Sequence, residues 1–463
     1  MRLFEGLLLL VILLLLARPF LFPRRSQWQI WLAGTAVFFA FIHLLTEGYR
    51  WQMIPAYALA GALVLLAIVR RGKPVGRKTA VVSSLLALFI WLLAVALPIL
   101  LPVPQPLPPT GPYAVGTTTL YLVDESRAEI YTPDADDKRE LMAQLWYPAR
   151  PDPKAEPAPY LDNLEVAGPA IASQFDLPAF LFDHINLTRT DAYPEAPPAV
   201  EAAPVIIFSH GLTGFRGQNT TMAQELASHG YVVAAMDHTY ASGFTIFPDG
   251  RVIIYDPCPI FTDCRSNPTD GVRLVSQWAA DIGFLLDEMA RWNATGENRF
   301  YGRFDLSHVG VFGHSTGGGT AVEFCRQDAR CQAGLGLDAW VLPVSEAILD
   351  EPLTQPFMFI NTPYWLGPDN TTRGQAIYNG VQNDAYKLSI AETGHFDFSD
   401  LPLFSPLTPQ LGLTGTIDSE RAVAIQNGYT LAFFDRYLRG MDSPLLAGEP
   451  VYDEVTFVGR NGR

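Results

Sequence analysis

Four long apolar stretches crowd the first 101 residues of this chain: Leu7 to Phe22, Ile30 to Leu45, Met53 to Val69 and Ala80 to Leu101. Each approaches or reaches the roughly 20 residues a helix needs to cross the hydrocarbon core of a bilayer. A buried core helix would account for any one of them. Four in succession, with Glu5 and Glu47 the only acidic residues before residue 114, predict a region of four transmembrane helices over residues 1–101. Arg18 and Pro19 shorten the first span. No small-x-small cleavage site follows it and three more spans do, so it is expected to be retained and not removed as a signal peptide.

The positive charges orient the spans. The loop from Arg70 to Lys78 carries five, the first loop carries Arg24 and Arg25, and the loop around Glu47 and Arg50 is neutral. Positive-inside bias puts the first and third loops in the cytoplasm, so the fourth span runs outward. A Pro-rich linker, residues 102–113, then acts as a semi-rigid tether. The remainder, 114–463, is expected on the extracytoplasmic side of a multi-pass cell-membrane protein.

Composition agrees once it is divided. Only 17% of the 463 residues are charged, against roughly 25% in soluble domains. Residues 1–113 hold ten Lys/Arg and two Asp/Glu, a balance of +8, and the rest holds 22 against 45, a balance of −23. An acidic body without a basic patch disfavours nucleic-acid binding. It also gains nothing from anionic headgroups, which favours zwitterionic or neutral ligands at the lipid bilayer.

All four cysteines lie in the acidic body, as two pairs six residues apart: Cys258 with Cys264 and Cys325 with Cys331. In an oxidising compartment this predicts two small disulfide loops. The spacing matches no zinc pattern, and no metal is expected.

After residue 114 the pattern is that of one α/β domain. Leu141–Tyr147 alternates like a strand, and a Pro- and Ala-rich stretch of loops and short helices follows to about Pro204. Apolar runs then alternate with amphipathic ones: strand 205–208, helix 220–229, strand 231–236, helix 271–292, strand 308–312, helix 316–327, strands 333–337, 357–360 and 386–390, and helix 419–439. This is the signature of a mostly parallel sheet covered by helices; the strand, G-x-S-x-G and helix met within it make the α/β-hydrolase type of fold the expectation. Chemistry in such sheets sits just past the carboxyl ends of the strands.

Past the strand ending at Phe312 stands Gly313-His314-Ser315-Thr316-Gly317, a G-x-S-x-G between strand and helix, as a nucleophile elbow requires. The glycines permit a turn too tight for side chains, and Ser315 is the candidate nucleophile. Of eight histidines only His395 lies well beyond it, where chain order puts the base. His314, next to the nucleophile, is expected to point elsewhere, and His43 to cap or pack within a span. Two aspartates follow strands and could orient His395: Asp338 and Asp369. The oxyanion hole needs two amides. The Thr316 N–H and the Leu212 N–H, in the turn Ser209-His210-Gly211-Leu212, are the candidates, with His210 bracing that turn. Phe215, Phe244 and Trp340 could line the pocket.

Several segments in order resemble the plasma/type II platelet-activating-factor acetylhydrolase family: Phe208-Ser-His-Gly-Leu-Thr-Gly-Phe-Arg216, Leu226 to His238, Gly313-His-Ser-Thr-Gly-Gly318, Leu337-Asp-Ala-Trp340 and Gln355 to Asn361. The similarity covers roughly residues 112 to 440 and leaves out the spans. It implies that Asp338 is the acid of the triad, that Leu212 and Thr316 form the oxyanion hole, and that short or oxidised acyl esters are cleaved without metal or other cofactor, in phospholipase A2 fashion. The sequence around His395 matches the family only loosely. The expectation is a membrane-anchored serine carboxylic ester hydrolase acting on a lipid or small ester. Its alternatives are an acyltransferase on the same triad, or a receptor or transporter subunit whose hydrolase-like domain only binds.

Overall fold

Short apolar runs separated by amphipathic ones after residue 203 assemble into one large sheet, and the apolar stretches before residue 102 form a separate group of helices. The structure, a computed structural model, describes residues 1–21, 28–70, 76–174, 176–448 and 451–462. It divides into two compact units. The first is Met1–Pro104 with Pro178–Thr188 and Phe404–Leu407, and the second is the remainder.

The first unit holds α1 (Leu3–Leu21), α2 (Trp28–Thr46), α3 (Ile54–Arg70) and α4 (Arg77–Leu100). Two of its helical stretches, Trp51–Val69 and Lys78–Leu100, are long and apolar enough to cross a membrane, and Leu3–Ala17 and Trp31–Thr46 are shorter apolar helices. Arg24, Arg25, Arg71 and Lys73, which carry part of the orientation argument, lie outside the described residues. Leu8, Ile12, Ala36, Met53, Ala56 and Ala94 form the buried centre of the unit. The linear boundary at residue 101 misses two later segments. Phe180 packs edge-on against Trp51 at 5.3 Å, and the Ser405 hydroxyl donates to the Leu100 carbonyl at 2.6 Å, so short pieces from far along the chain belong to the helical unit.

A polar cluster joins the helix ends. Glu5 accepts from Arg50 at 2.6 Å and from Arg2 at 2.7 Å, and the Tyr57 hydroxyl lies 2.8 Å from His43 Nδ1, whose Nε2 is 3.3 Å from Glu5. Glu5, His43 and Arg50 are buried. Isolated charges would be costly among apolar helices, so each is paired. His43 therefore sits in an ion-pair network, beyond the simple packing role expected of it.

Among the described residues the second unit holds twelve strands: β1 (Ala114–Ala128), β2 (Lys138–Ala149), β3 (Ala192–Pro194), β4 (Ala203–Ser209), β5 (Val232–Asp237), β6 (Phe244–Ile246), β7 (Val252–Ile254), β8 (Phe304–His314), β9 (Cys331–Leu337), β10 (Phe357–Asn361), β11 (Ala385–Ile390) and β12 (Val455–Arg460). Ten form one sheet in the order β12-β11-β10-β9-β8-β4-β5-β2-β1-β3, and β6 and β7 pair separately. The six strands from β11 to β5 run parallel, with β2 antiparallel to β5 and β12 antiparallel to β11. The helices are α5 (Leu164–Gln174), α6 (Thr220–Ser228), α7 (Pro268–Ala294), α8 (Thr316–Gln327), α9 (Ala347–Asp350), α10 (Pro368–Gly380) and α11 (Ser419–Arg439).

Side-chain alternation places a core on each face of the sheet. Val205 and Ile207 of β4 pack with Ile282, Leu286 and Met289 of α7 and Val322 of α8. Ile206 and Phe208 point the other way, toward Leu226 of α6 and Ile425, Phe433 and Phe434 of α11. The last linker residues are tied down as part of this unit: Thr110 donates to Glu225, and the Gly111 and Tyr113 amides donate to Ser228.

Candidate active site

The turn between β8 and α8 carries Ser315 at φ 54 and ψ −117. A non-glycine residue held there stores of the order of 1–3 kcal/mol, the kind of strain that clusters at functional sites. The flanking glycines are sterically required. A Cβ on Gly313 would lie 2.2 Å from the Gly317 carbonyl oxygen, and one on Gly317 would lie 2.0 Å from that of Ser209. The elbow is thus wedged between α8 and the end of β4. The Ser315 amide donates to Leu337 and its carbonyl accepts from Trp340, so the turn is pinned to the residues on either side of Asp338.

Asp338 and His395, 57 residues apart, meet across 2.7 Å, Nδ1 donating to Oδ2. The other carboxylate oxygen accepts the Thr362 amide at 2.9 Å and the Thr362 hydroxyl at 3.0 Å. A carboxylate can only accept, so the imidazole proton is on Nδ1 and Nε2 is left as a base. Asp369, the other candidate, stands exposed in the first turn of α10.

The loop after β4 is held from several sides. Among the described residues, the amides of Gly211, Thr213 and Gly214 have acceptors in Gln218, Ala241 and Gly211, while the Leu212 and Thr316 amides have none. Two free N–H groups at these positions are what an oxyanion hole needs. His210, fully buried, lies 2.6 Å from the Gly211 carbonyl through Nδ1 and 3.0 Å from the Ser242 hydroxyl through Nε2. Burial drives its pKa well below the ordinary imidazole value, so it is neutral. Arg216 closes the loop on buried Asp237, its amide donating at 2.7 Å. Phe215 and Phe244 stack at 5.3 Å beside the same loop.

Behind the loop lies a second serine–histidine–aspartate chain that sequence reasoning missed. The Ser209 hydroxyl donates to His238 Nε2 at 2.9 Å, and His238 Nδ1 donates to Asp281 at 2.9 Å. All three are fully buried, and His238 stacks flat on Trp278 at 4.1 Å, so no substrate reaches them. Burial lowers the His238 pKa, whereas Arg139 and His238 together overcome burial at Asp281 and lower its pKa. Asp281 is therefore the anion between two guanidinium groups, Arg139 at 2.7 Å and Arg127 at 2.9 Å, with a neutral imidazole beside it. The sequence signal was available: His238 follows Asp237 directly after the apolar run Val232–Met236, at the carboxyl end of a strand.

His314 does not point away from the site. Its ring lies 4.5 Å from that of His395, and its Nε2 donates to the His395 carbonyl at 3.0 Å. The four cysteines form two disulfides, Cys258–Cys264 and Cys325–Cys331. Among the described residues, Glu5, His43 and Glu47 are the one group whose donor atoms lie close enough together to hold a metal. The guanidinium groups of Arg2 and Arg50 already neutralise that group, which makes it a poor cation site.

A serine raised on a strained strand-to-helix turn, on a mixed sheet with helices on both faces, is an arrangement shared by serine ester hydrolases, the class to which this protein belongs. The family follows from comparison with known sequences. The profile of platelet-activating factor acetylhydrolase, isoform II, matches residues 105–248 and 293–443, more than half of the chain, and the chain belongs to that family. A platelet-activating factor acetylhydrolase of Cavia porcellus is 28% identical over 72% of this chain and 77% of its own length. A probable 1-alkyl-2-acetylglycerophosphocholine esterase of Arthroderma benhamiae is 25% identical over 55% of this chain and 66% of its own. Among solved structures, a ferulic acid esterase from Streptomyces cinnamoneus superimposes with a TM-score of 0.63 at 32% identity, over 77% of this chain and 99% of that one.

Proposed function

We propose that the protein is a membrane-anchored, acetylhydrolase-like carboxylic ester hydrolase working through Ser315, His395 and Asp338. The observation that carries this reading is the 2.7 Å bond from His395 Nδ1 to Asp338 beside the strained Ser315 turn. Ser315 Oγ attacks the ester carbonyl carbon and its proton passes to His395 Nε2. The Leu212 and Thr316 amides stabilise the tetrahedral oxyanion, a contribution of about 3 kcal/mol for each donor. Collapse expels the alcohol, which takes the proton from His395. Water then gives a proton to the same nitrogen as it attacks the acyl-enzyme, and the acid leaves with Ser315 restored.

The relatives' names support short acyl esters of zwitterionic lipids or other lipophilic esters as substrates, in keeping with the acidic body. The two long apolar helices and the two shorter ones beside them support anchoring, with the loop charges favouring four spans and an extracytoplasmic hydrolase unit. Fluorophosphonate labelling that disappears in Ser315→Ala, together with faster turnover of two-carbon than sixteen-carbon p-nitrophenyl esters, is the expected result. Folded wild type that takes no label would refute the catalytic reading, and preference for long chains would refute the acetylhydrolase-like one. A tag at residue 460 that reacts only after the membrane is breached would refute the topology.

A further inference from the structure

We propose that Gln218 and His314 are positioning residues for this hydrolysis, forming one hydrogen-bonded chain that ties the oxyanion loop to the loop carrying the base. The proposal rests on the reading of Ser315 and His395 as nucleophile and base. The Gly211 amide donates to Gln218 Oε1 at 3.1 Å, Gln218 Nε2 donates to His314 Nδ1 at 2.9 Å, and His314 Nε2 donates to the His395 carbonyl at 3.0 Å.

Each step fixes the next. A backbone amide only donates, so Oε1 is the Gln218 atom facing Gly211 and Nε2 faces the imidazole. The imidazole must then accept at Nδ1 and carry its proton on Nε2, where the His395 carbonyl stands. No other arrangement of protons satisfies all three contacts.

Packing gives the chain little slack. His314 is buried, and a Cβ on Gly211 would lie 3.0 Å from His314 Nδ1 and 3.3 Å from Ser315 Cβ. Gln218 also meets the segment just past His395 directly, since its carbonyl accepts the Asp400 amide at 3.0 Å. Three backbone segments, the turn at Gly211, the elbow at Ser315 and the loop at His395, are thereby held at one spacing. That spacing sets the distance between the site where negative charge develops and the imidazole that takes the proton.

The chemistry also requires the brace to be uncharged. His395 becomes an imidazolium during each proton transfer, with the His314 ring 4.5 Å away. Burial first, and the neighbouring His395 second, hold the His314 pKa well below the ordinary imidazole value, so it opposes no charge on its neighbour. Neither residue handles a proton of the ester. Both act through the groups they hold.

The test uses full-length protein in detergent, with p-nitrophenyl acetate turnover and fluorophosphonate labelling on wild type, Ser315→Ala, Gln218→Leu, His314→Phe, His314→Gln and the Gln218→Leu/His314→Phe double variant. Gln218→Leu and His314→Phe are each expected to lower kcat about tenfold to a hundredfold, the cost of a small misplacement of reacting groups. KM should change little, because ground-state binding is untouched. The double variant should be no slower than the worse single one, and His314→Gln, which keeps an N–H for the His395 carbonyl, should recover part of the rate. The proposal is overturned if Gln218→Leu keeps a wild-type kcat, if the two losses multiply, or if KM alone rises. Wild type that neither labels nor turns over, or Ser315→Ala that labels normally, refutes the triad reading instead. Gln218 is only partly buried, so its variant decides the matter even if His314→Phe does not fold, with His314→Gln replacing it in the double variant.

Discussion

His395 and Asp338 are joined by a single 2.7 Å hydrogen bond, and the Asp338 oxygen not facing the imidazole is occupied by both donors of Thr362. The carboxylate therefore cannot turn away from His395 without losing two bonds to Thr362, the residue just past β10. Asp338 itself sits at φ 39, directly past β9, which aims its side chain across the strand ends and not along the sheet.

Asp338→Asn keeps the shape but offers His395 an amide in place of a carboxylate, which favours the wrong tautomer. The expected outcome is a fall in kcat of about 10⁴-fold with the fold intact. Asp369→Asn, altering an exposed side chain, should leave kcat at the wild-type level. Steady-state kinetics on both variants decide between the two aspartates, and a larger loss in Asp369→Asn would reverse the assignment.

Arg139 is fully buried and bridges Glu129 at 2.8 Å and Asp281 at 2.7 Å. Arg139→Met strips buried Glu129 of its guanidinium partner and leaves Asp281 with Arg127 alone, at 2.9 Å, a change inside the domain that costs about 3–5 kcal/mol. Denaturant midpoints of the full-length protein should show it. Because Asp281 orients His238, and His238 accepts from Ser209 at the root of the oxyanion loop, kcat should fall at temperatures where the variant is still folded.

Burial pushes the Asp400 carboxyl up to about 7, from an ordinary value near 3.9. Below about pH 4 the folded and unfolded chains both hold this proton, and the group's contribution is at its most favourable. As pH rises from about 4 toward 7 the unfolded chain releases the proton first, so stability is lost through that window and stays lost above it. Asn carries no charge there, and its carbonyl can accept the Thr221 amide and Tyr160 hydroxyl that Oδ2 now holds at 3.1 and 3.0 Å. Asp400→Asn should therefore raise the melting temperature at pH 8 and do so much less at pH 5. An equal shift at the two pH values would contradict the assignment.

The two disulfides should part company under mild reductant. Cys258 and Cys264 are exposed, whereas Cys325 and Cys331 are buried between α8 and β9. Brief treatment with a soluble phosphine followed by alkylation and mass spectrometry should tag the first pair while the second stays intact until the domain unfolds. Replacing the second pair by serine should cost about 2 kcal/mol from loop entropy, with a further loss from placing hydroxyls in the core.

Ser315 and the strand before it were readable from the sequence because an elbow demands glycines at fixed offsets, a local requirement that leaves a local trace. The same holds for β4 and β5, whose unbroken apolar runs reflect burial on both faces, and for α8 and α11, whose limits follow the pattern closely. β1 and β12 left no such trace. Both lie at the antiparallel margins of the sheet, where Thr119, Glu125 and Arg127 alternate irregularly with apolar residues.

What the sequence by itself determined was the list of reactive groups and the order in which the fold meets them: an elbow serine, one late histidine, and an amide-rich turn after the first buried strand. Spacing could not choose between Asp338 and Asp369, because each follows a strand and the choice depends on which strand end faces His395. Nor could it show that His314 leans on His395, that Ser209, His238 and Asp281 reproduce a triad with no access, or that residues 178–188 and 404–407 pack with helices far back in the chain. These are relations between segments tens to hundreds of residues apart. A hydrogen bond lasts only across about 3 Å of space, and distance along the chain carries no record of it. Only the tertiary structure could decide them.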